Sequence, residues 1–226
     1  MEMNPKIEAT SLWTTLGHLT ATRSMLEQWQ DRRFQFAYRV GQLLAGSTSD
    51  RPAVTGPALY GVYLSGAGLV YVGQTLKAQR RLRDLPVGES HHIATTVPPE
   101  IWERVVVVQW TGLLPLASLS QQNQVSALGP KACGLALEHI LQVRRRPLLN
   151  ARSRTSGGQW RQRDPERSQS IGAINAANCA ELFKLVEREW EILESIPASQ
   201  PPDSSPGVFR DNGRAVFPRI LLNASR

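Results

Sequence analysis

Residues 59–73 restrict the possible folds of this chain more than any other stretch. Leu59-Tyr60-Gly61-Val62-Tyr63 and Val70-Tyr71-Val72-Gly73 are short β-prone runs on either side of Ser65-Gly66-Ala67-Gly68. Aromatic and β-branched residues flanking a glycine-rich break predict a β-hairpin. Position parity then puts Tyr63 and Tyr71 on one face of a small sheet.

The remaining segments supply partners for that hairpin. A short helix is expected over residues 76–85, and Pro98-Pro99 starts a one-turn helix through Trp102. Val105-Val106-Val107-Val108-Gln109-Trp110 is continuously apolar, so it reads as a central strand covered on both faces. Pro130 opens a helix that stops at Arg145, before Pro147. Cys133, Leu137, Ile140, Leu141 and Arg144 line one side of it, and Glu138 lies at that side's edge, placed to point into a cleft over the sheet.

The two ends of the chain read as extensions. Leu26, Trp29, Phe36, Val40 and Leu43 recur at helical steps in the N-terminal part, and a break follows from Gly46 to Pro57. That helix suits a DNA-binding arm, a dimer face or packing against the main body. Near the C-terminus, Asn178 and Glu181 resemble a capping arrangement for a helix reaching Ile196. Pro197 to Pro206 is a proline- and serine-rich linker. Val208 to Phe217 then forms a hairpin turning at Asn212-Gly213. The expected class is α+β, a small, mainly antiparallel three-stranded sheet flanked by helices. Its core spans 57–151, with a helical extension at 1–50 and a basic loop, helix and hairpin at 152–226.

Charge narrows the partners. The 226 residues carry a formal net charge of +7. Eight arginines fall between Arg144 and Arg167, against Asp164 and Glu166 alone. A second cluster holds Lys77, Arg80, Arg81 and Arg83. Guanidinium forks stay charged and bond two phosphate oxygens, so nucleic acid is the expected partner, with a solvated basic loop as the plain alternative. The candidate contacts are Lys77, Arg80, Arg83, Arg144, Arg145, Arg152 and Arg154. Cys133 and Cys179 make neither a metal cluster nor a disulfide framework. With no bilayer-length apolar run and no signal pattern, a cytoplasmic protein without a membrane partner is expected.

Taken in order, these residues resemble the GIY-YIG nuclease superfamily over residues 57–151. Gly61-Val62-Tyr63 corresponds to its first tripeptide and Tyr71-Val72-Gly73 to its second. Arg81 falls at its helix-borne arginine, Glu138 at its metal-binding glutamate, and Pro147-Leu148-Leu149-Asn150 at its closing segment. The resemblance implies a metal-dependent DNA endonuclease hydrolysing phosphodiester bonds. Tyr63 would be the general base, Tyr71 its assistant and Arg81 the partner of a non-bridging phosphate oxygen. Glu138 would hold one Mg2+ (or Mn2+), while Gly61, Gly73 and Asn150 would serve the structure.

The chain departs from the family at two places: Gln74 replaces a common lysine, and Leu85 replaces a common histidine or tyrosine. His92, in the pair His91-His92, is the candidate for the missing proton-transfer group, and Lys77 or Arg80 for the missing charge. Stand-alone members with extensions include restriction enzymes, so a restriction or defence role is expected. One site per chain cuts both strands as a homodimer or in two visits. The alternatives are a nucleic-acid-binding module without turnover, and an interaction protein using the N-terminal helix and proline-rich tail. Each site residue also has a structural reading: strand tyrosines that pack, a solvated arginine, and a Glu138 paired with Gln142.

Overall fold

β1 (Ala58–Leu64) and β2 (Gly68–Thr75) form the expected antiparallel hairpin. Gly66 at φ +80 and Gly68 at φ +67 adopt the left-handed backbone that its turn demands. The computed structural model describes residues 11, 14–47, 52–88, 93–150, 164–198 and 205–223. β3 (Trp102–Val108) pairs with the other side of β1, and its four consecutive valines are fully buried.

The sheet has five strands, not three. β4 (Gly207–Arg210) and β5 (Gly213–Val216) form the C-terminal hairpin, and β5 pairs with the free side of β3. The order is β2-β1-β3-β5-β4, with every pairing antiparallel. The physical reason lies in β3: a valine-rich strand with an open edge is an aggregation template, and β5 closes it. The hairpin expected as an extension is thus part of the central sheet.

Strand alternation sends side chains into two cores. On one face, Leu59, Tyr63, Val72, Val106 and Val108 pack with Cys133, Leu137 and Leu141 of α3 (Leu119–Arg145). Leu182, Phe183, Val186 and Trp190 of α4 (Ala180–Glu194) complete that layer. On the other, Tyr60, Val62, Val70, Val105 and Val107 meet Val40 and Leu44 of α1 (Arg23–Ala45). Leu82 and Leu85 of α2 (Ala78–Val87) join them. Gly41 lets α1 and α2 approach, because a Cβ there would sit 2.6 Å from the Arg83 carbonyl oxygen.

Of the uses open to the N-terminal helix, packing is what its C-terminal half does. Arg214 of β5, 4% exposed, donates to the carbonyls of Leu43, Gly46 and Pro52. The first two lie at the end of α1, where carbonyls lack helical partners. Burial pulls the Arg214 pKa down to about 10, still far enough above neutral for the group to stay charged.

Other details correct the sequence reading. α3 is one long helix broken at Gly129 (φ +74), so Pro130 starts its second segment. Asn178 and Glu181 do not cap α4. Glu181 instead accepts from the backbone N–H and hydroxyl of Ser118, both at 2.6 Å, and so secures the start of α3. Cys133 and Cys179, 46 positions apart, are buried free thiols with sulfurs 3.6 Å from each other. No helix among the described residues is long and apolar enough to cross a membrane.

Candidate functional site

The hairpin register decides which tyrosines meet. Val62 lies opposite Tyr71 and Tyr60 opposite Gly73, with an irregularity between Val62 and Tyr63. Residues directly opposite one another share a face, so Tyr71 shares the face of Val62 and Tyr60. Tyr63 is on the far side. It is 5% exposed, and its hydroxyl oxygen accepts a 2.7 Å hydrogen bond from Trp190 Nε1 of α4. The expectation that Tyr63 and Tyr71 share a face is therefore corrected, and Tyr60 takes the place given to Tyr63.

Tyr60, Tyr71, Arg81 and Glu138 gather at the β2 edge of the sheet. The Tyr60 and Tyr71 ring centroids are 6.2 Å apart, with planes inclined at 34°. Arg81 Nε, from the first turns of α2, donates to the Tyr60 hydroxyl oxygen at 3.1 Å. Glu138 reaches the same place from α3, and its Oε1 accepts from Gln142 Nε2 one turn on, at 3.1 Å.

The electrostatics tie the four groups together. Burial pushes the Tyr60 pKa above its ordinary value, Arg81 works against that rise, and Glu138 adds to it. Tyr71 is raised as well, first by burial, then by Tyr60 and Glu138, with Arg81 opposing. A hydrogen bond between the two hydroxyls eases loss of the Tyr60 proton and resists loss of the Tyr71 proton. Arg81 and the Tyr71 hydroxyl thus favour the Tyr60 phenolate, while burial, the largest influence, opposes it. Tyr63 is also raised, chiefly by burial, but Glu194 and Trp190 surround its hydroxyl in place of the cluster.

The two motif glycines make room for this arrangement. A Cβ on Gly73 would stand 2.6 Å from the Tyr60 hydroxyl oxygen, so the ring lies over bare backbone. A Cβ on Gly61 would stand 2.6 Å from the Trp190 ring on the opposite face. Asn150 secures the outer edge of β2. Its Nδ2 donates to the Val72 carbonyl and its Oδ1 accepts from the Val72 N–H, both at 2.7 Å. Leu149 N–H adds a bond to the Val70 carbonyl, also 2.7 Å. These bonds hold both neighbours of Tyr71. Asn150 therefore pins β2, not the turn in which it stands.

The departures noted in the sequence lie elsewhere. Gln74 follows Gly73 and points to the opposite face, where its buried Oε1, which has no hydrogen-bond partner, approaches Gly134. Leu85 is fully buried in the core between α2 and the sheet. His92, Arg152 and Arg154 lie outside the described residues.

The described basic residues divide into two groups. Lys77, Arg80 and Arg83 are exposed around the helix that carries Arg81, with Arg80 3.8 Å from Asp84. Arg144 and Arg145 instead face α4. Arg144 grips both Glu187 oxygens and lies over Phe183, while Arg145 bonds Glu191 and Glu194. Arg146 and Arg167 pair with Glu166 and Asp164. Each described arginine of the basic stretch thus has an acidic partner.

A single carboxylate with one oxygen held by a neutral amide suits a hard cation that keeps most of its waters. Glu138 is the carboxylate of this cluster, and Gln142 Nε2 holds one of its oxygens. Among the described residues, no group of three or more His, Cys, Asp or Glu side chains is placed to hold a metal ion. Tyr60 and Gln142 complete the cluster beyond the residues the resemblance assigns. The four-residue step from Glu138 to Gln142 was a sequence signal for the second, whereas Tyr60 emerges only from the hairpin register. Scans of family models, of curated proteins and of solved structures find no match to this chain.

Proposed function

We propose that this chain is a DNA endonuclease that hydrolyses phosphodiester bonds with the help of Mg2+ or Mn2+. The observation that carries the reading is the meeting of Tyr60, Tyr71, Arg81 and Glu138 at one edge of the sheet. Two phenols, a guanidinium and a carboxylate meet the needs of the reaction: a water to orient, a phosphate charge to balance and a leaving oxygen to support. A bound divalent ion would supply Lewis-acid polarisation of the phosphate and support for the departing oxygen.

The chain's own residues do the rest. Tyr60 orients the attacking water and receives its proton as the phenolate, the form left once its own proton has passed to solvent and the one that the Arg81 guanidinium against its oxygen favours. Tyr71 hydrogen-bonds Tyr60 and keeps its own proton. Arg81 also brings positive charge to the phosphate as negative charge develops there. Glu138 would hold the cation, and Gln142 fixes one of its oxygens. Lys77, Arg80 and Arg83 give the flanking backbone contacts, and restriction of foreign DNA is the proposed cellular role.

The runner-up is a DNA-binding module without turnover, favoured by burial that holds both phenols in their protonated form. Plasmid cleavage by wild type and Glu138→Ala, with and without Mg2+, separates the two. The endonuclease reading expects metal-dependent nicking or linearisation, lost in Glu138→Ala while salt-sensitive DNA binding survives. Binding by wild type without cleavage of any modified or unmodified plasmid favours the module.

A further inference from the structure

Tyr63, released from the catalytic cluster, forms one wall of a different arrangement. Arg104 of β3 lies opposite Tyr63 across the strand pair. Its guanidinium carbon is 5.7 Å from the Tyr63 ring centroid and 5.6 Å from the Phe217 ring centroid. The residue is 8% exposed, and Nε is buried with no hydrogen-bond partner. Among the described residues the Arg104 side chain makes neither a hydrogen bond nor an ion pair. Glu194, whose charge reaches the Tyr63 hydroxyl, is held by Arg145 Nη1 at 3.1 Å and is not its counter-ion.

The other arginine buried as deeply, Arg214, shows what a satisfied guanidinium looks like here, with three carbonyl acceptors around it. Arg104 lies between two aromatic rings, and its buried Nε has no acceptor. Aromatic faces stabilise the cation and fix its plane, yet they accept none of its five N–H bonds. A buried cation is retained when it is paired, and an orphaned donor is costly. A guanidinium flanked by rings and short of oxygens is a preorganised fork for an oxyanion.

We propose that Arg104, walled by Tyr63 and Phe217, is an oxyanion-binding site that takes a phosphate group. It lies on the opposite face of the sheet from Tyr60, and it stands whether or not the chain cuts DNA. Two sources offer the same chemistry: inorganic phosphate or a phosphomonoester, and the phosphodiester backbone of DNA. The chain's net charge of +7 favours anionic partners in either case.

The test uses the full-length protein labelled with 15N, following the Arg104 Nε–H signal assigned through its own side-chain correlations. One arm titrates inorganic phosphate against chloride at constant ionic strength. The other titrates a duplex oligonucleotide lacking terminal phosphates. A saturable shift with phosphate, half-complete at roughly millimolar concentration, is the expected result for a one-arginine site. A shift with the duplex alone assigns the site to the DNA backbone. No shift in either arm overturns the proposal. Thermal melts provide a second readout: phosphate should raise the Tm of wild type and not that of Arg104→Lys. An equal rise in both also overturns it. If Arg104→Lys does not fold, the wild-type titration decides alone.

Discussion

Replacing Tyr60 by phenylalanine removes the oxygen that Arg81 Nε reaches at 3.1 Å while leaving the ring over Gly73. Loss of a positioned acid–base group should slow cleavage by about a hundredfold or more, with the fold intact. Tyr63→Phe should leave the cleavage rate within about threefold, because its hydroxyl faces the other core. That variant should instead lose about 1–3 kcal/mol of stability, since it strands the buried Trp190 N–H that now donates at 2.7 Å. Nicking rates and denaturant melts of the two variants check the assignment, and reversed roles would sink it. The same tyrosines also set a pH dependence. Tyr60, Tyr63 and Tyr71 all have folded pKa values raised by burial above the ordinary value. The folded state therefore holds these protons more tightly than the unfolded chain does. Their stabilising contribution is whole below pH ~10 and is lost as pH rises through the folded values. Chemical denaturation from about pH 8 to about pH 11 should show stability falling above about pH 10, more gently in Tyr60→Phe. A flat profile would refute it.

At the scale of elements, Asn150 acts on β2 as a neighbouring strand would, answering both polar groups of Val72 with one side chain. Asn150→Ala should cost about 1–3 kcal/mol and speed hydrogen exchange at the Val72 amide, while the β1–β3 ladder keeps its protection. Uniform loss of protection across the sheet would contradict this local role. The elements differed in how legible they were. The hairpin, the tetravaline strand and the second segment of α3 were readable because periodicity and glycine or proline boundaries are local signals. Register was not. Parity counts along one strand, but across a turn it depends on which residues pair, and here Val62 pairs with Tyr71. That single fact moved the catalytic role proposed for Tyr63 to Tyr60. Glu181 failed for a related reason: its acceptor role was right, but the amide it serves is Ser118, 63 positions away.

For the whole molecule, the helix Arg23–Ala45 and the C-terminal hairpin, far apart in sequence, meet at the sheet. β5 covers the valine edge of β3, and Arg214 on β5 gathers carbonyls from the end of α1 and the segment after it. A chain ending at residue 204 should therefore lose cooperative unfolding and self-associate, as circular dichroism melts and size-exclusion chromatography would report. A monomeric, cooperatively melting fragment would show that the fold does without the C-terminal hairpin. Charge at this scale was legible only in total. The net +7 is a property of composition, whereas Arg144 and Arg145 turned out to lock α3 against α4.

The strand order also sets a sequence of events in time. As the chain emerges from the ribosome, β3 arrives with β1 and β2, yet its other neighbour follows on the order of a hundred residues later. Through that interval the valine edge waits for a partner, and any competing strand has its chance. Closing so distant a contact is slow, so β5 docking is the expected late step of folding. A hairpin translated long after the first three strands is the one that closes the sheet they begin.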